Sequence, residues 1–174
     1  MKTLIVVDVE ADGPCPGLYS MVCFGAVAVT PELGTTFYGK TEPLYDARGW
    51  EPEALKVSGF TREQHLRFPY PTVAMNQFDQ WLKQFEQPIF VSDNLAFDWQ
   101  FINYYTLRFG PSKRNPFGWS GRRIGDMYGG LKGDLRAQWK HLRVTKHTHN
   151  PVDDARGNAE ALLKMAEMGL KGIL

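Results

Sequence analysis

Residues 4–10 read Leu4-Ile5-Val6-Val7-Asp8-Val9-Glu10. Four apolar, mostly β-branched residues run straight into an acid, and a second acid follows two positions later. No polar residue alternates with Leu4 to Val7, which predicts a strand buried on both faces. Residues i and i+2 of a strand point to one side, so Asp8 and Glu10 share a face at the strand's end. Two carboxylates held that close away from water repel, and an ionised pair needs a cation between them. Hard oxygen ligands suit Mg²⁺ or Mn²⁺. The competing reading makes the acids the strand's exit into solvent, with Asp12-Gly13-Pro14 as the turn. The rest of the chain has to choose between them.

The length of 174 residues fits one domain spanning residues 1–174, large enough to bury a core without staples. Cys15 and Cys23 fit no zinc spacing, and a reduced, cytoplasmic setting is expected. The apolar run after Lys2 ends at Asp8, too short for a signal peptide or a membrane span. Net charge is +1, but its distribution is uneven. Between Arg108 and Lys146 stand ten Lys and Arg against two acids. Such a basic segment suits an anionic partner such as a phosphate backbone, or else a solvated face that offsets an acidic one.

Ser20 to Thr30 and Thr35 to Thr41 read as two strands joined through Pro31-Glu32-Leu33-Gly34, extending the first strand into an antiparallel meander. Glu42 to Pro52 reads as loop and Glu53 to Val57 as a short helix. Thr61 with Gln64 gives a capping signature. Pro71 to Phe85 is a predicted helix on the spacing of Val73, Phe78, Trp81, Leu82 and Phe85. Pro88 to Ser92 is a second buried strand, followed by a helix from about Ala96 to Phe109. Gly110 to Gly133 is expected to be mostly loop, with a short strand near Ile124. Pro151 to about Leu170 is the last helix, capped by Asn150, with Ala155, Ala159, Leu162 and Ala166 as its core stripe. Strands first, then strands alternating with helices, predict a mixed α/β sheet with helices on its faces.

Further acids could complete a site. Asp98 lies in the first turn of its helix among Phe97, Trp99, Phe101 and Ile102, just after a strand's carboxyl end, where open α/β sheets place their sites. A helix-dipole role would also explain it. Asp153 and Asp154 open the last helix. Asp153 shares a solvent-like stripe with Gly157, Glu160 and Lys164, whereas Asp154 lines up with Ala161, Met165 and Met168. His149 stands five residues before Asp154, and histidine is the side chain best suited to take a proton from water near neutral pH.

Taken in order, Asp8-Val9-Glu10, Asn94-Leu95-Ala96-Phe97-Asp98 and His149-Asn150-Pro151-Val152-Asp153-Asp154 resemble the three motifs of the DEDDh 3′–5′ exonucleases, which have the ribonuclease H-like fold. The stretch Glu53 to Thr61 also resembles one often found before the second motif. The resemblance implies an antiparallel meander followed by parallel strands, and two-metal hydrolysis of the terminal phosphodiester. It implies that Asp8, Glu10, Asp98 and Asp154 hold two Mg²⁺ or Mn²⁺, with His149 as base. Nucleoside 5′-monophosphates would leave the 3′ end of single-stranded DNA or RNA. Its spacing selects His149 over His147 and Asp154 over Asp153. The chain departs from the family at Ala11-Asp12-Gly13, where Thr-Thr-Gly is common, and at Asp93, where a histidine often precedes the asparagine.

Candidate substrate contacts are Asn94 and Phe97 of the second motif, Asp12 in the departing turn, and the aromatic residues Tyr19, Trp50 and Trp119, which could stack on bases. Arg122 and Arg123 of the basic segment are candidates for the phosphates. No membrane association is expected, and the resemblance allows a homodimer. Two rival readings are an endonuclease of the same fold, against which the His149 to Asp154 spacing argues, and a non-catalytic nucleic-acid-binding module, for which an acid should be missing.

Overall fold

The computed structural model describes residues 2–174. Strand β1 (Lys2–Ala11) lies at the centre of a five-stranded sheet with β2 (Met21–Ala28), β3 (Thr36–Lys40), β4 (Gln87–Ser92) and β5 (Arg122–Arg123). The spatial order is β3-β2-β1-β4-β5. β1, β2 and β3 pair antiparallel, while β4 runs parallel to β1 and β5 parallel to β4. The expected meander followed by parallel strands is therefore present, and the short fifth strand falls just before Ile124.

The pleat of β1 sorts its side chains between two cores. Ile5, Val7, Val9 and Ala11 face the helices α3 (Pro71–Leu82) and α4 (Leu95–Phe109) through Phe78, Phe101, Ile102 and Tyr105. Leu4 and Val6 face α5 (Ile124–Lys132) and α6 (Pro151–Glu167) through Ile124, Ala155, Ala159 and Leu162. Asp8 and Glu10 continue the second row, so they point toward α6.

Two short helices, α1 (Pro52–Val57) and α2 (Arg62–His65), lie outside the sheet. The capping box forms: Thr61 accepts from the Gln64 N–H and the Gln64 side chain accepts from the Thr61 N–H. Asn150 caps α6 by accepting from the Val152 and Asp153 N–H groups.

Three expectations need correction. Residues 124–132 form helix α5 rather than loop; its glycines weaken it locally, but Ile124 and Tyr128 anchor it in the core. Val73 is exposed, and α3 buries Ala74, Met75, Phe78 and Leu82 instead. The stripe of Gly157 and Glu160 is not solvated. A Cβ at Gly157 would lie 2.7 Å from the Thr145 carbonyl oxygen, because the segment before α6 runs across that face.

Gly25 sets the height of α6. It pairs with Asp8 across the sheet, so both face α6, and a Cβ there would lie 2.4 Å from the Pro151 carbonyl carbon. The helix N-terminus therefore rests on β2 backbone, with Asp154 one turn above. Gly25→Ala is expected to lift that turn, costing about 1–3 kcal/mol of stability and roughly 10²-fold in turnover through misplacement of Asp154. Denaturant unfolding and single-turnover rates on the purified variant would check both.

Candidate active site

Four acids converge at the carboxyl end of β1 and β4. Asp8 and Glu10 come from β1, Asp98 from the first turn of α4 and Asp154 from the first turn of α6. Glu10, Asp98 and Asp154 are buried. Oxygens of Asp8, Glu10 and Asp154 lie within 4.8 Å of one another. Asp98 stands beside this trio, close enough to Asp8 to push its pKa up.

Each acid has a local reason for its place. Pairing of β4 with β1 ends at Val6, opposite Val91, while β2 stays paired to Ala11, so beyond Val6 the N–H groups on the β4 side lack a strand partner. The Val9 N–H donates instead to Asp98 Oδ1 at 3.0 Å, tying α4 to β1. Asp154 Oδ1 accepts from the Thr148 N–H at 2.9 Å, and Oδ2 accepts from the His149 N–H at 3.0 Å. His147 Nδ1 is 2.8 Å from the same Asp154 Oδ2. His149 Nδ1 is 3.5 Å from Glu10 Oε1. The His149 backbone is left-handed (φ 61°), a conformation that costs a β-carbon residue about 1–2 kcal/mol and that Asp154 helps to hold.

The acids cannot all be ionised at little cost. Burial raises the Asp8 carboxyl well above its ordinary value, and the charges of Asp98, Glu10 and Asp154 push it further, against the pull of Arg143. Burial pushes Glu10 up to about 7, although His149 draws it down. Burial likewise pushes Asp98 up to about 8, against the pull of the Ser92 hydroxyl and the Val9 N–H. Close, buried, oxygen-only ligands with unfavourable charge fit hard divalent cations.

A groove of about 270 Å³ opens beside Glu10, lined by Ala11, Gly13, Pro14, Glu51, Ala54, Val57 and Phe97. A second, of about 220 Å³, lies between Tyr38, Val57, Phe60 and His149. Exposed Val57 borders both. Phe97 is the aromatic candidate that lines the first groove, and exposed Asn94 precedes its helix. Tyr19 packs its ring against Gly13 of that groove and is not among its lining residues. Trp50 lines a separate groove, with the Arg62 guanidinium 5.3 Å over its ring. Trp119 is almost wholly exposed, beside Lys113 and Arg114.

Asp12 is corrected as a substrate contact. It is fully buried; Oδ1 accepts from the Ser20 N–H at 2.5 Å and Oδ2 from Arg62 at 3.0 Å. It fastens the turn after β1 to α2. Cys15 and Cys23 are both free.

Reading the residues in sequence missed Ala54 and Val57 on the groove and the part played by Arg143. Arg143 is largely buried; it donates to Asn158 of α6 and lies 3.8 Å from Asp93. The signals were the apolar Ala54 and Val57 on a short helix, and an arginine preceding the third motif.

Arg122 and Arg123 are exposed, and both extend the sheet on the side of β4. Arg123 pairs with Asp126 at 2.7 Å, and Lys140 with Asp93 at 2.9 Å. Arg122 and Lys146 have no ion-pair partner among the described residues. Replacing Arg122 and Lys146 together is therefore expected to flatten the salt dependence of single-strand binding by about 0.7 in log–log slope per lost phosphate contact. Replacing Arg123 and Lys140 should change it less. Fluorescence-anisotropy titrations across salt concentrations would check the difference.

The RNase_T exonuclease family model matches residues 5–162. The 3′-5′ DNA exonuclease Cap18 of Escherichia coli is 36% identical over 175 residues, covering 91% of this chain and 89% of Cap18. Among solved structures, cell-death related nuclease 4 superposes with a TM-score of 0.75 at 18% identity, covering 97% of this chain and 65% of that one. E. coli exonuclease I in complex with a dA16 oligonucleotide gives 0.68 at 18% identity, with 97% and 40% covered. This chain thus spans less than two thirds of either solved relative, and those two likenesses speak for the fold alone. The family match, the three motifs and the convergence of their acids lead to one conclusion: the chain belongs to the RNase T exonuclease family, among the DEDDh enzymes its motifs resemble, and is a 3′–5′ exonuclease.

Proposed function

We propose that this exonuclease removes nucleotides from the 3′ end of single-stranded DNA with the help of divalent cations, releasing nucleoside 5′-monophosphates. The observation that carries the reading is the trio Asp8, Glu10 and Asp154 within 4.8 Å, with Asp98 beside it and His149 at 3.5 Å from Glu10. Asp8, Glu10, Asp98 and Asp154 would hold two Mg²⁺ or Mn²⁺. Bound there, such ions make water more acidic and offset charge on the departing 3′ oxygen. His149 stands half-exposed at the mouth, placed to take a proton from the attacking water. The groove beside Glu10 admits the terminal nucleotide, with Phe97 as a face for its base.

Single-stranded substrate follows from the need to separate the terminal base from its neighbour. DNA is favoured over RNA by the kinship with Cap18, a DNA exonuclease. The test is digestion of matched DNA and RNA strands, single and double, labelled at the 5′ end, with Mg²⁺. The expected result is a ladder shortened one nucleotide at a time, fastest on single-stranded DNA. Internal cuts would indicate an endonuclease, and a mobility shift without cleavage a binding module. Faster digestion of RNA would overturn the choice of DNA.

A further inference from the structure

The third motif carries two histidines, and the proposed reaction uses one. His147 and His149 are two residues apart in the segment before α6. Their rings meet edge to face with centroids 4.3 Å apart. Nitrogens of both and an oxygen of Asp154 lie within 4.8 Å of one another. His147 Nδ1 is 2.8 Å from Asp154 Oδ2, and His149 Nδ1 is 3.5 Å from Glu10 Oε1. Both imidazoles are half-exposed while Asp154 is buried. The group thus opens to solvent on the histidine side and is closed beneath.

The donor chemistry differs from that of the acid trio. Asp8, Glu10 and Asp154 offer only oxygen, the choice of Mg²⁺ or Mn²⁺. Two imidazoles with a carboxylate suit borderline ions such as Zn²⁺ and Co²⁺. Tetrahedral zinc, with ligands at about 2.0–2.2 Å, needs donors roughly 3.4 Å apart. One pair already stands closer than that, and small rotations of exposed rings can adjust the others. Backbone N–H groups of Thr148 and His149 donate to the two Asp154 oxygens, so the buried ligand is oriented in advance. A fourth position remains for water or Glu10.

We propose that His147, His149 and Asp154 form a second metal site, selective for Zn²⁺-like ions, whose occupation inhibits the exonuclease. An ion there takes the His149 lone pair that the reaction needs. It also claims Asp154, which would otherwise serve the Mg²⁺ or Mn²⁺ site. The inhibition rests on the catalytic reading given above; the binding itself does not.

The test uses Co²⁺ and Zn²⁺ alone, then with Mg²⁺ and labelled single-stranded DNA. Co²⁺ added to the metal-free protein should produce visible absorption bands of a four-coordinate, nitrogen-containing site, saturating at one equivalent. His147→Ala should lose those bands. In Mg²⁺-supported digestion, the Zn²⁺ concentration giving half-inhibition, measured against each protein's own uninhibited rate, should rise about tenfold or more in His147→Ala. His147 is half-exposed, so the variant should fold, and circular dichroism would verify it. Co²⁺ bands and Zn²⁺ inhibition unchanged in His147→Ala would overturn the proposal, as would the absence of bands in the wild type. If the bands appear but Mg²⁺ supports no cleavage, the metal site stands and the catalytic reading fails. If Mg²⁺ supports cleavage but no bands appear, the reverse holds.

Discussion

Asp8→Asn is expected to lower turnover with Mg²⁺ by at least about 10³-fold, because loss of a metal ligand forfeits several kcal/mol of charge stabilisation. Asp8 is the position at which the site's electrostatics meet: burial first, and then Asp98, Glu10 and Asp154, push its pKa up. The same substitution should leave the metal-free protein equally or more stable, since one member of a repelling group becomes neutral. Lost activity with retained stability separates a ligand from a structural acid. Quenched-flow cleavage and thermal unfolding on one preparation give both numbers, and near wild-type turnover would exclude Asp8 as a ligand. Asp98 calls for asparagine rather than alanine. Its Oδ1 accepts from the buried Val9 N–H, and alanine would strand that donor at about 1–3 kcal/mol.

His149→Ala is expected to lose roughly 10²–10⁴ in turnover, the usual contribution of a general base, while retaining affinity for Mn²⁺ and for DNA. The four acids are untouched, and Asp154 keeps its N–H donors because the backbone remains. His147→Ala should lose far less in the absence of zinc. Among the four acids His147 pairs with one Asp154 oxygen, which the His149 N–H also holds. Single-turnover rates with separately measured Mn²⁺ binding check this. If His147→Ala proves the more damaging, the roles of the two histidines are exchanged.

The four acids were legible because each sits on an element that announces itself locally. An unbroken apolar run precedes Asp8, a strand and turn precede Asp98, and Asn150-Pro151 opens the helix of Asp154. Their convergence was carried by resemblance rather than by periodicity. What stayed hidden depends on distant partners. Asp12 resembles an exposed turn acid until Arg62, fifty residues away, reaches it. Glu160 looks solvated until Val144 and Thr145 donate to it. Helix α5 was obscured by Gly125, Gly129 and Gly130, whose poor propensity the core overrides. Gly25 gave no sign in the sequence that a helix terminus would rest on it.

On the proposed reading, the buried acids can be ionised together only around divalent cations. Carboxyls raised in the folded state hold protons that the unfolded chain has released. Their contribution to stability is therefore fully present below the unfolded pKa and lost as pH rises through the folded one. For Glu10 and Asp98 that loss runs through about 7 and about 8. Buried His65, pushed down to about 4 by burial and by Arg62, acts oppositely, but below pH ~6.5, where the unfolded histidine titrates. The window from pH ~6.5 to ~8.5 therefore isolates the acids. Unfolding free energy should be measured across it in chelator and in saturating Mn²⁺. The expected result is a fall of a few kcal/mol in chelator, abolished by Mn²⁺. A flat profile in chelator, or a fall that Mn²⁺ leaves unchanged, would contradict it.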